Sequence, residues 1–260
     1  MTTPSKVIIE KSGAITTVII NRPDVRNAVD HETAQLLKAA FLEFESDKSQ
    51  SVAILCGRGE IFCAGYDLKF VAQGNLDQIY EPEGDGPLGV SRMLLSKPVI
   101  AAVEGHAVAG GLELALWCDL RVASKSAVFG VFCRRWGVPL VDGGTIRLPR
   151  LIGHSRALDM ILTGRPVDAD EAASIGLANR VVERGQALTE ARRLAADLER
   201  FPQICLRTDR ISSYVQWGLE LPEALKNEGR EGAKPLLAEA RRGATAFAQG
   251  KGRGGDFSSI

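Results

Sequence analysis

Apolar positions fall into short β-branched runs that alternate with stretches of helical spacing. Val7 to Glu10 and Ile15 to Ile20 are β-branched runs around Ser12-Gly13, which predicts a hairpin. Asp30 stands where it caps a following helix, in which Leu36, Leu37, Ala40, Phe41 and Phe44 recur at helical spacing. Ser51 to Cys56 then reads as a strand ending at Gly57-Arg58-Gly59. The run from Lys97 through Ala109 reads as a short strand buried on both faces, Gly110-Gly111 as a tight turn, and Leu112 to Cys118 as a buried helix. Leu120 to Ala123 and Val128-Phe129 add further strands. Strands alternating with helices predict an α/β core of repeated ββα or βα units.

From about Asp168 onward strand signals fade. Ala187 to Arg200, Gln203 to Trp217, Leu219 to Glu231 and Pro235 to Phe247 read as successive helices. The chain is thus divided into a core over residues 1–200 and a helical section over residues 201–260, whose apolar faces need a partner surface. Residues 74–89, with Gly74, Pro82, Gly84, Gly86 and Pro87 among acids, predict a mobile loop, and Gly250 to Gly255 a flexible tail.

Composition narrows the functional classes. Lys plus Arg equals Asp plus Glu at 32 each, so no overall field draws the chain to nucleic acid or an anionic membrane, although a local basic patch for a phosphorylated ligand is allowed. The five cysteines form no C-x-x-C pair and several lie in apolar runs, the pattern of reduced thiols and not of a disulfide frame. Met1 to Lys11 lacks a signal-peptide pattern, no apolar run reaches the ~18 residues of a membrane span, and Ser258-Ser259-Ile260 is not the Ser-Lys-Leu peroxisomal address. A cytoplasmic protein is expected.

Candidate chemistry concentrates at one place. Glu113 is a lone acid in an apolar helix that follows a strand and a glycine turn, where backbone N–H groups are presented without side chains in the way. An acid beside such donors and out of water points to proton chemistry next to a polarised oxygen. A carboxylate satisfied by a helix terminus or an arginine fits the spacing equally well. Burial would raise its pKa and a helix N-terminus would lower it. Other motifs carry little: there is no G-x-G-x-x-G or P-loop, Gly153-His154-Ser155-Arg156 lacks the nucleophile-elbow spacing, and three scattered histidines make no metal set.

Several segments together resemble the crotonase superfamily, the enoyl-CoA hydratase and isomerase group. They are Asn21-Arg22-Pro23 with Arg26-Asn27-Ala28, Phe62-Cys63-Ala64-Gly65-Tyr66-Asp67-Leu68, Lys97 to Gly105, Ala109-Gly110-Gly111-Leu112-Glu113-Leu114-Ala115 and Cys118-Asp119. Gly143-Gly144-Thr145 with Leu148-Pro149-Arg150, Leu162-Thr163-Gly164, Ala172-Ala173 and Gly176-Leu177-Ala178 with Val181-Val182 continue the likeness over most of the chain.

The resemblance implies an α/β, crotonase-like spiral of repeated ββα units with a C-terminal helical section that assembles homotrimers or dimers of trimers. It implies a coenzyme A thioester as substrate, with no tightly bound cofactor and no metal. By motif position the N–H groups of Tyr66 and Gly110 form an oxyanion hole for the thioester carbonyl, and Arg26, Ala28, Ala64, Tyr66, Asp67, Leu68 and Gly110 contact the coenzyme. Phe247 falls where the family's last helix nears the nucleotide, although a helical phenylalanine also suits plain core.

Glu113 matches one of two family glutamates; the second position holds Cys133, a thiol in place of a carboxyl acid. Asp142 lies one residue from an aspartate position used by some isomerases of the superfamily, and equally stands where it would N-cap the helix after Gly143-Gly144-Thr145. Arg134 and Arg135 either pair with these acids or lie in solvent. The expected protein is an enoyl-CoA hydratase/isomerase-like enzyme in which Glu113 moves a proton or orients water and Asp142 assists. Double-bond isomerase, other crotonase-fold lyase or hydrolase, and non-catalytic acyl-CoA binder stay as alternatives. The acyl group itself is not encoded in any motif.

Overall fold

The computed structural model describes residues 4–74 and 80–257. Residues 75–79, at the centre of the predicted mobile loop, and the C-terminal tripeptide lie outside it. Strand β1 (Val7–Ser12) turns at Gly13 into β2 (Ile15–Ile20), as the hairpin signal predicts. Asp30 caps α1 (His31–Ser46), its carboxylate accepting the Thr33 N–H at 2.9 Å.

β2, β3 (Val52–Gly57) and β4 (Val99–Val103) run parallel. From β4 the chain passes to β5 (His106–Val108) in a second sheet, then to helix α3 (Gly110–Trp117); the short helix α2 (Leu68–Ala72) precedes them. β6 (Leu120–Ser124) returns to the first sheet and β7 (Val128–Gly130) to the second, followed by α4 (Gly144–Ile152) and α5 (His154–Thr163). β8 (Val167–Asp168), α6 (Ala169–Ser174) and β9 (Arg180–Val182) complete this part. The sheets are ordered β1-β2-β3-β4-β6-β9 and β5-β7-β8; β1 and β2 both lie in the first, while the consecutive pairs β4-β5 and β6-β7 each place one strand in each sheet, a spiral.

Period-two alternation explains the layering. In β3, Val52, Ile54 and Cys56 face α7 (Ala187–Arg200), with Ala191, Leu194 and Ala195 against them, while Ala53 and Leu55 face the main core with α1 and α3. Every residue of α3 from Gly111 to Trp117 is buried, the position of a helix that is apolar all round.

Two expectations change. Strand pairing does not end near Asp168: β8 stops there, but β9 adds an edge strand beside β6, and at three residues it is too short to carry a period. The last two predicted helices are α9 (Leu221–Pro235) and α10 (Arg241–Ala248), which run on through a π turn at Leu236–Ala240. Pro235, which has no N–H to donate, immediately precedes that wider turn. Helix α8 (Gln203–Val215) is moored to the core through Asp119 Oδ1, which accepts from Arg210 Nε at 2.8 Å and Tyr214 Oη at 2.7 Å.

Candidate active site

Two backbone segments that almost touch make the floor of the site. The Cys63 N–H donates to His106 O at 3.0 Å, and the Val108 N–H to Cys63 O at 3.1 Å, so the 63–66 segment lies alongside β5. Gly111 allows this approach, since a Cβ there would stand 2.0 Å from Cys63 O. Gly65, at φ +93°, allows the next: its Cβ would stand 2.7 Å from Gly110 N. Between them Ala109 adopts φ 54° and ψ −126°, an unfavourable region for a side-chain-bearing residue that costs about 1–3 kcal/mol. Its ψ sets the plane of the next peptide and therefore the direction of the Gly110 N–H. Neither the Tyr66 nor the Gly110 amide donates to another described residue, and both residues line a cavity of about 750 Å³. Gly110 also begins α3, whose first N–H groups have no partner within the helix.

Glu113, one helical turn further on, is 2 % exposed and lines the same cavity. Its Oε1 accepts the Gly144 N–H at 2.8 Å and the Asp142 N–H at 2.9 Å; Oε2 has no partner among the described residues. One oxygen therefore fixes the carboxyl and the other is left for a ligand. Burial, then the neighbouring Asp142 charge, push its pKa up to about 7, against the two N–H bonds and Arg147. Of the two opposing effects left open by the sequence, burial prevails. The structural and chemical readings of Glu113 are also compatible, because Oε1 satisfies the start of α4.

Asp142 does not cap α4, contrary to that expectation. The N-cap is Gly143, in the left-handed conformation, and the Asp142 side chain turns instead toward residues 88–91. Its Oδ1 accepts from the Leu88 N–H at 3.2 Å and from Ser91 Oγ, and Oδ2 has no partner among the described residues. Asp142 is buried and lines the cavity, and burial holds its carboxyl above the ordinary value despite these bonds. Arg147 sits behind the pair, donating to Asp142 O at 3.0 Å and Ser91 O at 2.6 Å. Ser91, Leu88 and Arg147 belong to no motif, and their part in the site comes from tertiary approach alone.

Cys133 lies in the 3-10 turn Phe132–Trp136, is buried and lines the cavity. Burial and then the Glu113 charge raise its pKa, so the thiol is held protonated. Arg134 and Arg135 do not pair with the acids: Arg134 Nε donates to Ile161 O at 3.0 Å, and the Arg135 guanidinium lies 4.9 Å over the Phe132 ring.

Arg26, Ala64 and Leu68 line the cavity with Tyr66 and Gly110, whereas Ala28 and Asp67 do not. Ala28 O accepts from Arg22 Nη1, and the Asp67 carboxylate caps α2 by accepting the Lys69 N–H at 3.0 Å while paired with Arg22 at 3.2 Å. Phe247 is exposed on α10 and not packed into core. His106, Phe132, Trp136 and Val138 are among the other residues of the wall, and none of these four had a sequence signal beyond its residue type. Among the described residues no cluster of three or more His, Cys, Asp or Glu could hold a metal ion, and no helix is long and apolar enough to cross a membrane. The described cysteines are all free.

The sequence profile of the enoyl-CoA hydratase/isomerase family matches residues 10–251. Enoyl-CoA hydratase EchA19 of Mycobacterium tuberculosis is 36% identical over 247 residues, covering 93% of each chain. Carnitinyl-CoA dehydratase of Salmonella typhi is 39% identical over 196 residues, 73% of each. Among solved structures, enoyl-CoA hydratase EchA1 from Mycobacterium marinum superposes with a TM-score of 0.87 at 34% identity, covering 94% of this chain and 96% of that one. A probable enoyl-CoA hydratase/isomerase from Mycobacterium abscessus gives 0.85 at 38%, covering 95% and 96%. These likenesses bear out the expected α/β spiral.

Proposed function

This chain belongs to the enoyl-CoA hydratase/isomerase family, the crotonase superfamily, and from that premise we propose that it is an acyl-CoA enzyme that forms a thioester enolate and moves a proton through Glu113. The observation that carries the reading is the Glu113 carboxyl, fixed through Oε1 with Oε2 unpartnered, in one cavity wall with the undonated Tyr66 and Gly110 amides. The thioester oxygen accepts both amides. That withdraws electrons from the Cα–H bond, and Glu113, with a pKa near the working pH, removes the proton. Returning it at Cγ shifts a double bond from the 3- to the 2-position. This needs one principal base, which suits a wall in which the second glutamate position is a protonated thiol.

Hydration across a 2,3-double bond is the second reading. It is favoured by the hydratase names of the relatives and by Asp142, whose Oδ2 supplies another carboxyl oxygen on the cavity to orient water. Coenzyme A is a substrate part and not a resident cofactor in either reading. Arg26, Ala64 and Leu68 line its path; Ala28 and Asp67 shape the loop beneath through Arg22. Residues 201–260 are the section through which copies assemble as trimers, a role suited to the exposed Leu221, Leu225, Leu236 and Leu237. We place the protein in the cytoplasm.

The test is solvent-deuterium exchange at Cα of butanoyl-CoA, read by mass spectrometry, beside turnover of but-3-enoyl-CoA and but-2-enoyl-CoA. Exchange that is lost in Glu113→Gln supports enolate formation, and the better-turned-over substrate assigns isomerisation or hydration. Binding without exchange or turnover leaves a non-catalytic acyl-CoA binder and overturns the enzyme reading.

A further inference from the structure

We propose that Cys133 is a second reactive group of this cavity, which adds its thiol across the double bond of a bound 2-enoyl thioester to give a covalent thioether. The inference rests on the acyl-CoA reading above. Four observations converge on it. Cys133 is in the wall of the cavity that holds Glu113, Asp142 and the Tyr66 and Gly110 amides. Glu113 is 2 % exposed, and its Oε2 has no partner among the described residues. The Glu113 charge, after burial, raises the pKa of the Cys133 thiol. Cys56, Cys63 and Cys118 are buried and do not line this cavity, and Cys205 is on the surface.

Conjugate addition needs a nucleophile near Cβ, a sink for charge at the thioester oxygen and a base for the thiol proton. The cavity wall offers a group for each: the Cys133 thiol, the Tyr66 and Gly110 amides and Glu113 Oε2. As the Sγ–Cβ bond forms, the π pair of the double bond moves onto Cα and the carbonyl oxygen, giving an enolate held by the two amides. The thiol proton passes to Glu113 Oε2, which returns it to Cα. The net change is addition of S–H across the C=C bond, with no oxidant or further reactant. The reverse sequence expels the enoyl thioester.

Burial makes this thiol unreactive toward general alkylating agents, because the thiolate is the nucleophile and the apolar wall disfavours it. Only a ligand that is itself polarised in the site, with the carboxylate poised for the proton, overcomes that handicap through proximity. Selectivity for the bound thioester over small reagents is therefore part of the proposal. It also gives the cavity a means of retaining a 2-enoyl group that the proton-transfer reaction would release.

The experiment incubates the full chain with but-2-enoyl-CoA, quenches in acid and measures intact mass and peptide masses, with butanoyl-CoA as the saturated control. The expected result is a gain of one but-2-enoyl-CoA on the Cys133 peptide, absent with butanoyl-CoA and absent in both Cys133→Ser and Cys133→Ala. Adduct formation slows by ~10²–10⁴ in Glu113→Gln, and iodoacetamide modifies Cys205 well before Cys133. Adduct on Cys205 alone, or on several cysteines equally, overturns the proposal. Cα exchange or turnover with no adduct overturns it while leaving the enzyme reading intact. Absence of adduct, exchange and turnover together defeats both.

Discussion

Glu113 Oε1 accepts the backbone N–H of Asp142 at 2.9 Å, so one cavity carboxyl is tied to the main chain of the other. The Asp142 side chain in turn holds residues 88–91 through Leu88 and Ser91. The two carboxyl groups and the cavity wall are thus one connected network, and a change at either acid is felt at the other.

Glu113→Gln keeps an oxygen for both N–H donors and removes the proposed base. Turnover and Cα exchange should fall by ~10²–10⁴. Stability should respond with a definite sign. The folded pKa, about 7, lies above the ordinary 4.5, so the native state holds this proton more tightly than the unfolded chain. The cost of ionising the buried carboxyl is absent below the unfolded value, grows as pH rises between the two, and is complete above the folded one. The Tm advantage of Glu113→Gln over wild type should therefore increase from about pH 5 to about pH 8; an advantage that shrinks over this range would contradict a raised pKa.

Asp142→Asn removes the negative charge that helps hold Glu113 up. The acid limb of the rate profile, expected near the raised Glu113 value in wild type, should move to lower pH. A kcat profile across the acid range measures this. An unmoved limb would mean that burial alone sets the base.

Gly65→Ala places a methyl group 2.7 Å from Gly110 N at a φ of +93°. The two amide-bearing segments must separate, and loss of one oxyanion donor typically costs ~10²–10³ in rate. Circular dichroism and Tm would report whether the fold is retained, and kcat should fall more than substrate affinity. Wild-type turnover in a folded variant would exclude these amides as the oxyanion hole.

Cys133→Glu installs a second carboxyl in the cavity wall. The ratio of hydration of but-2-enoyl-CoA to isomerisation of but-3-enoyl-CoA should rise, because water then has an additional acid–base partner. Measuring both rates on one preparation makes the ratio independent of active fraction. A ratio that is unchanged or falls would show that the Cys133 position does not control the choice.

Much of the fold is legible in local pattern. The hairpin follows from its β-branched runs and turn, α1 with its Asp30 cap and α7 from helical spacing, and β3 and β4 from short apolar runs buried on both faces. β8 and β9 do not, because two or three residues have no measurable period and are strands only through their neighbours. Asp142 shows the same limit at the site: residue type and position suited a helix cap, but Gly143 takes the N-cap and the carboxylate reaches Ser91, 51 residues away.

The sequence by itself determined which residues could meet at the site. Glycines at 65, 110 and 111 permit close backbone approach, and an acid follows them on an apolar helix. Only the tertiary structure decided what that acid is. Packing removed water from Glu113, Asp142 and Gly144 supplied N–H groups to one oxygen, and the cavity left the other unpartnered. Desolvation and long-range hydrogen bonding depend on the whole surroundings of an atom, which local sequence does not specify.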